Sequence, residues 1–384
     1  MRFALLGDHP DGLDLAQALT ATGRYTLHTY AGPPAGAAEL RQRGLTFSLV
    51  PDVEEVLADP TMEAVIVASA PAVRAQQLRR AAQSEHHVFC VHPADDTPDI
   101  AYEAGMIQKD TRKVLLPVLP ATGHPAVGRL QECLGPRGRL GPLRLVCVER
   151  VLPSFAEGAD DIGRKAWFPG WDVLEVLGGT IVEVSAFAAG TIVAADEPTL
   201  LAGRFEKGGV FQVTLLPVAS RGRLSLRLWA ERGEAELSCV AGWSGPVRLV
   251  ARGLEGEEQV EEWGSWDPWP AFIARFEALC AAPEEAKANA WQEAIRCLEL
   301  DDAARRSLER RRVSPLEYPE ADEDVGFKGT MTLIGCGLLW GLLALFVLSA
   351  WLPWAGWLVL PLLAVFLLLQ LLRWLIPRRP SGGE

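Results

Sequence analysis

Two places in the chain put chemistry-bearing side chains where an α/β fold could use them. The first is Gly7–Asp8–His9–Pro10–Asp11–Gly12, directly after an apolar stretch at residues 2–6. A glycine-rich turn from strand to helix, G-x-G-x-x-G, is where a dinucleotide's pyrophosphate meets backbone N–H groups. Gly7 suits the tight turn and Gly12 the close approach of helix to strand. The middle position, where backbone must reach the pyrophosphate, is His9. Asp8 and Asp11 add negative charge at the helix start, which opposes a diphosphate. The next apolar stretch ends in Tyr30–Ala31–Gly32 and offers no acid for the ribose hydroxyls. A tight turn with no ligand is the competing reading. The second place is His92–Pro93, after the apolar run 88–91. The C-terminal end of a strand is where α/β sheets bind ligands; a hydrogen-bonded structural histidine is the alternative.

These positions imply a sheet to hold them. Residues 2–6, 25–30, 64–68, 88–91 and 113–118 read as strands, and 13–19, 53–57, 72–84 and 99–108 as helices. The run 64–68 (AVIVA) is apolar throughout, as a strand covered on both faces must be. Strands alternating with helices over short connections predict a doubly wound α/β domain over residues 1–120.

The segment DPTMEAVIVASAPAVRAQQLRRAAQSEHHVFCVHP at 59–93 resembles the glucose-fructose oxidoreductase / inositol dehydrogenase (Gfo/Idh/MocA) family, in the unit leading to its Glu-Lys-Pro motif. The resemblance continues through 138–148, through Gly178–Gly179, which looks like a helix start, and through 205–237, with turns at 207–209 and 232–233. It closes at 272–313, so it covers about residues 1–318. It implies a Rossmann domain followed, over 121–318, by an α+β domain with a large, open, mostly antiparallel sheet whose faces often pair subunits. It further implies NAD or NADP as cofactor and hydride exchange with sugars or cyclitols. The chain departs from the family at the chemical positions. Glu-Lys-Pro is Val91–His92–Pro93, and the positions of the family's Asp, Gly, His and Asp hold Glu183, Ser185, Phe187 and Gly190. Phenylalanine cannot exchange a proton. Two functions follow. One is an oxidoreductase-fold protein that has lost hydride transfer, binds NAD(P) weakly or not at all, and serves as a binding or scaffold module. The other is a divergent NAD(P)-dependent enzyme using His92 and Glu183, with Gly7, His9, Gly12, Tyr30, His92 and Pro93 against the cofactor.

Other candidates carry less. Arg164, Lys165, Trp167, Trp171 and Asp172 could line a carbohydrate pocket or form an ordinary loop. Trp263, Trp266 and Trp269 suit core packing or a contact near a bilayer, and His86–His87 reads as a solvated turn. Arg305, Arg306, Arg310, Arg311 and Arg312 suit a helix C-terminus. The seven cysteines form neither a disulfide framework nor a metal set. Net charge is −12, of which −11 lies before residue 320, and this disfavours nucleic acid as a partner.

Residues 330–376 carry no charge from Thr330 to Leu372. That is long enough for two spans of about 20 residues, roughly 330–350 and 357–376, broken at Ser349, Pro353 and Gly356. An acidic linker at 319–329 precedes them and a tail at 377–384 follows. Lys328, Arg373, Arg378 and Arg379 flank the pair and the intervening loop has no Lys or Arg, which places the body and both termini in the cytoplasm. Trp351, Trp354 and Trp357 suit the far interface, and Gly337 and Gly341 suit close helix packing. Reporters fused before Met1 and after Glu384 should therefore both behave as cytoplasmic; opposite locations would rule out the hairpin.

Overall fold

A computed structural model describes residues 1–153, 168–188, 198–218, 222–240, 243–310 and 314–315. The predicted hairpin at 330–376 lies outside them. Among the described residues no helix is long and apolar enough to cross a membrane. Met1–Tyr318 forms one compact unit.

Its first half alternates strand and helix: β1 (Arg2–Leu6), α1 (Pro10–Ala21), β2 (Thr26–Ala31), α2 (Pro34–Gln42), β3 (Ser48–Leu49), α3 (Val53–Ala58), β4 (Ala64–Val67), α4 (Pro71–Gln83), β5 (His87–Val91), α5 (Asp99–Thr111) and β6 (Leu115–Val118). The six strands are parallel, in the order β3-β2-β1-β4-β5-β6. The order reverses between β1 and β4, the switch point at which such sheets bind ligands. Every residue of β4 is buried, as its unbroken apolar sequence requires. The predicted elements recur here, with α2 and β3 in addition. His86 and His87 are not a solvated turn. The His86 ring bonds the Leu57 carbonyl at 3.1 Å, and His87 opens β5, where its Nδ1 accepts from Val114 N at 3.1 Å.

A 3₁₀ turn (Pro120–Gly123) and α6 (Pro125–Cys133) lead into β7 (Leu143–Pro153), α7 (Trp171–Gly178), β8 (Ile181–Ala188), β9 (Thr199–Phe205), β10 (Val210–Val218), β11 (Arg223–Ala230), β12 (Gly233–Val240), β13 (Val247–Gly253) and β14 (Glu258–Trp263). After α8 (Trp269–Cys280) and α9 (Glu284–Arg310), the short β15 (Ser314–Pro315) adds to β8. The nine-stranded sheet runs β14-β13-β12-β11-β7-β10-β9-β8-β15, and only β7 with β10 pairs parallel. One expectation is overturned. Gly178–Gly179 ends a helix instead of starting one. Trp171–Gly178 holds the helical spacing, Gly179 takes φ +83° as a helix-ending glycine can, and residues 181–188 follow as a strand. The period-two alternation of Val182, Val184 and Ala186 with Glu183, Ser185 and Phe187 is strand-like, so those three candidate positions lie on a sheet.

The last helix joins the cores. Trp291, Ala294, Ile295 and Leu298 of α9 pack on one face of the parallel sheet, while Cys297, Leu300, Ala303 and Ala304 belong to the core under the second sheet. α8 covers the other face of the parallel sheet with Trp269, Phe272, Ile273 and Phe276. Gly105 of α5 lets the Trp291 ring approach, and the indole donates to the Ala101 carbonyl at 2.8 Å. Trp291→Ala should cost about 3–5 kcal/mol. Both sheets should then unfold at one lowered urea midpoint, read by circular dichroism and by tryptophan fluorescence.

Candidate functional site

At the switch point the turn after β1 is built from contacts that exclude side chains. Gly7 sits at φ +98°, and a Cβ there would come within 2.2 Å of Ser69 Cα. A Cβ on Gly12 would meet Ala68 Cβ at 2.3 Å. Both glycines thus have the packing roles their spacing implies. The turn's backbone donors are largely taken. Gly7 N bonds Ala31 O at 2.8 Å, His9 N bonds Ala68 O at 2.9 Å, and Pro10 has no donor. Gly12 N and Leu13 N both bond the His9 carbonyl. Asp11 N donates to His9 Nδ1 at 3.2 Å, so His9 caps α1 with its own ring. Burial lowers the His9 pKa, against the opposing pull of Asp11. It is a neutral cap, on the side of the helix where an anion would lie.

Tyr30 closes the neighbouring space. Its ring is fully buried and its hydroxyl donates to the Pro33 carbonyl at 2.9 Å. Glycine is required at 32 and 36, since a Cβ at either would fall within 2.6 Å of the phenol oxygen. The loop after β2 accordingly lies against the turn after β1.

His92–Pro93 ends β5 in a cis peptide bond. The His92 ring is buried, and burial together with the Arg74 charge pushes its pKa down to about 3. Arg74 Nε donates to Ser69 O at 2.9 Å and its guanidinium to Pro93 O at 2.6 Å, joining the loops after β4 and β5. Sequence reasoning missed Arg74. The signal was its place at 74, 78, 81 and 82, the buried stripe of α4.

The structure gathers Gly7, His9, Gly12, Tyr30, His92 and Pro93 around the strand ends of the first sheet. Glu183 is not hydrogen-bonded to them. It lies on β8 opposite Arg204, with which it pairs at 3.3 Å, on the sheet face turned away from the buried Val184 and Ala186. Phe187 shares that face and is 60 % exposed. Gly190, Arg164, Lys165 and Trp167 lie outside the described residues. Trp171 and Asp172 are not a surface loop. Both are buried at the start of α7, and the Trp171 indole donates to Asp301 Oδ1 at 2.6 Å. Trp263 and Trp266 pack around the His124 ring, and Trp269 is core. Arg305 and Arg306 both pair with Asp302 near the end of α9.

A second cluster emerges between α7 and α9. Asp172 and Asp301 each bury one carboxyl oxygen without a hydrogen-bond partner among the described residues. Burial, reinforced by the Glu293 charge, pushes the Asp172 pKa up to about 7. Burial also raises Asp301, against its bonds from Trp171 and Phe168. A buried carboxyl poised near neutrality can hold or release a proton at working pH.

The fold is shared with solved dehydrogenases. Levoglucosan dehydrogenase, solved in complex with NADH and levoglucosan, superposes with TM-score 0.67 at 15% identity, over 83% of this chain and 100% of that one. GenD2 from gentamicin A biosynthesis, in complex with NAD, gives 0.66 at 18%, over 83% and 97%. A myo-inositol dehydrogenase from Corynebacterium glutamicum gives 0.64 at 17%, over 83% and 99%. No family model matches the chain, and no curated protein matches it in sequence.

Asp172 makes stability depend on pH. The folded protein keeps its proton up to about pH 7, whereas an unfolded chain releases it near pH 3.9. The unfolded state therefore binds fewer protons between those values, and stability falls as pH rises through that window. The contribution is intact below it and fully lost above it. Asp172→Asn should be more stable than the parent at pH 8, by on the order of 1.4 kcal/mol for each pH unit that separates the folded and unfolded titrations of Asp172. That advantage should shrink toward zero near pH 4 in urea titrations.

Proposed function

We propose that this chain is a membrane-tethered protein of the glucose-fructose oxidoreductase / inositol dehydrogenase family that keeps the dehydrogenase fold without hydride transfer and works as a binding or scaffold module. The observation that carries this reading is the His9 cap. An anion at a helix N-terminus needs free N–H groups, and in this turn His9, Ala31 and Ala68 accept from most of them. Asp8 and Asp11 stand beside the same turn, and Tyr30 fills the end of β2. The residues present do not fit a dinucleotide pyrophosphate. The tether is the uncharged run 330–376 in the bilayer, with the body and both termini cytoplasmic. The outer face of the nine-stranded sheet, where Phe187, Val210 and Trp229 are exposed, is the surface for pairing with a second copy.

One observation favours an active alternative, an NAD(P)-dependent oxidoreductase on a sugar or cyclitol. Asp172 is a buried acid with a near-neutral pKa. It suits proton exchange better than Glu183, which is held by Arg204, or His92, which stays neutral. Under that reading the nucleotide is NAD or NADP.

Titration calorimetry on the full-length protein separates the two. Losing one charge-assisted contact costs roughly 1.5–3 kcal/mol, about one to two decades of affinity. Neither nucleotide should bind in the low-micromolar range, and His9→Gly should tighten binding about tenfold or more. Low-micromolar affinity in the wild type, with turnover lost in Asp172→Asn, would establish the active alternative instead.

A further inference from the structure

We infer that Arg74 is the positioning residue of the switch point: its guanidinium ties the loop after β4 to the turn after β5 and sets its charge beside His92. Arg74 is 1 % exposed. It occupies a stripe otherwise made of Leu78, Ala81 and Ala82, where packing alone would select an apolar side chain. Its hydrogen bonds run to two carbonyls, of Ser69 and Pro93, which stand at the ends of adjacent strands. Among the described residues no carboxylate forms an ion pair with it. Two peptide dipoles hold the cation, so its charge is not cancelled where it sits.

The groups around it fit that role. Cys90, on β5, is buried with its thiol pushed up to about 12, so it is no anion at working pH. Asp11, on α1, feels Arg74 weakly, behind its own burial and His9. His9 on the same helix is kept neutral by burial first, with Arg74 adding to it. On the turn after β5, burial first and Arg74 second act against a proton on His92. The planar guanidinium can reach both carbonyls with separate N–H groups, which a lysine ammonium on a flexible stem does less well. His92 is thereby fixed in place as a neutral imidazole, able to hydrogen-bond but not to store a proton. The Arg74 tie between the two loops holds whether or not a dinucleotide binds.

The test is nuclear magnetic resonance of the full-length protein in detergent, with histidine rings labelled at Cε1 and the His92 signal identified by its loss in His92→Asn. The wild-type His92 signal should stay flat between about pH 5 and 8, the range in which an unperturbed histidine titrates. Followed into the acid range below that window, the His92 midpoint should rise in Arg74→Met, because burial alone then opposes the proton, and should stay where it is in Arg74→Lys, which keeps the charge. If Arg74→Met does not fold, Arg74→Gln gives the uncharged comparison. A wild-type His92 that titrates near about 6.5 would overturn the inference, whatever the variants do. So would a midpoint that does not move in a folded, uncharged variant.

Discussion

The architecture depends on α9 being buried twice. A 27-residue helix would ordinarily show one apolar stripe to one core. Here the stripe turns from Trp291, Ala294 and Leu298, against the parallel sheet, to Leu300, Ala303 and Ala304, under the second sheet. The first 120 residues therefore do not finish their own core, which needs helices that follow in the chain by more than 140 residues. The same helix carries Asp301, which holds the start of α7 through Trp171, and Arg305, which bonds the Asp96 carbonyl just past the turn after β5. Packing of α9 thus sets where Asp301 stands against the start of α7 and where Arg305 stands against the chain after β5.

Within that frame the candidate site is governed by who accepts the backbone N–H groups of one turn. Helix N-termini attract anions because their first amides lack partners. In this chain a side chain, a carbonyl of the same turn, the last carbonyl of β2 and the Ala68 carbonyl just after β4 are those partners. The close approaches that force glycine at 7, 12, 32 and 36 bring the loops after β1, β2 and β4 against one another. The likeness to dehydrogenases lies in the chain path, while the local chemistry of the turn has been redirected inward.

The parallel sheet was legible because its strands are short, uniformly apolar and bounded by glycine or proline; Ala64–Val67 is the clearest. The two-glycine turn was legible for the same reason. Residues 171–188 were not. A helix and a strand meet there at Gly178–Gly179, and only the change of period from helical to alternating tells which side is which. Placing the helix after the glycines put Glu183 in a site and left Asp172 among loop residues. Burial of a charged side chain is also poorly written in sequence. Arg74 and Asp172 look like surface residues by type, and only their positions on apolar helix stripes betray them. Glu183 lies opposite Arg204 across two strands whose pairing no local pattern encodes.

Amide hydrogen exchange at His9, Asp11, Gly12 and Leu13 reports whether the turn after β1 satisfies its own donors. Self-satisfied amides should exchange slowly in the absence of nucleotide, and adding NAD, NADH, NADP or NADPH in excess should leave those rates unchanged. Fast exchange in the free protein that becomes slow only with a nucleotide would mean that these donors are open to a ligand and not satisfied within the turn.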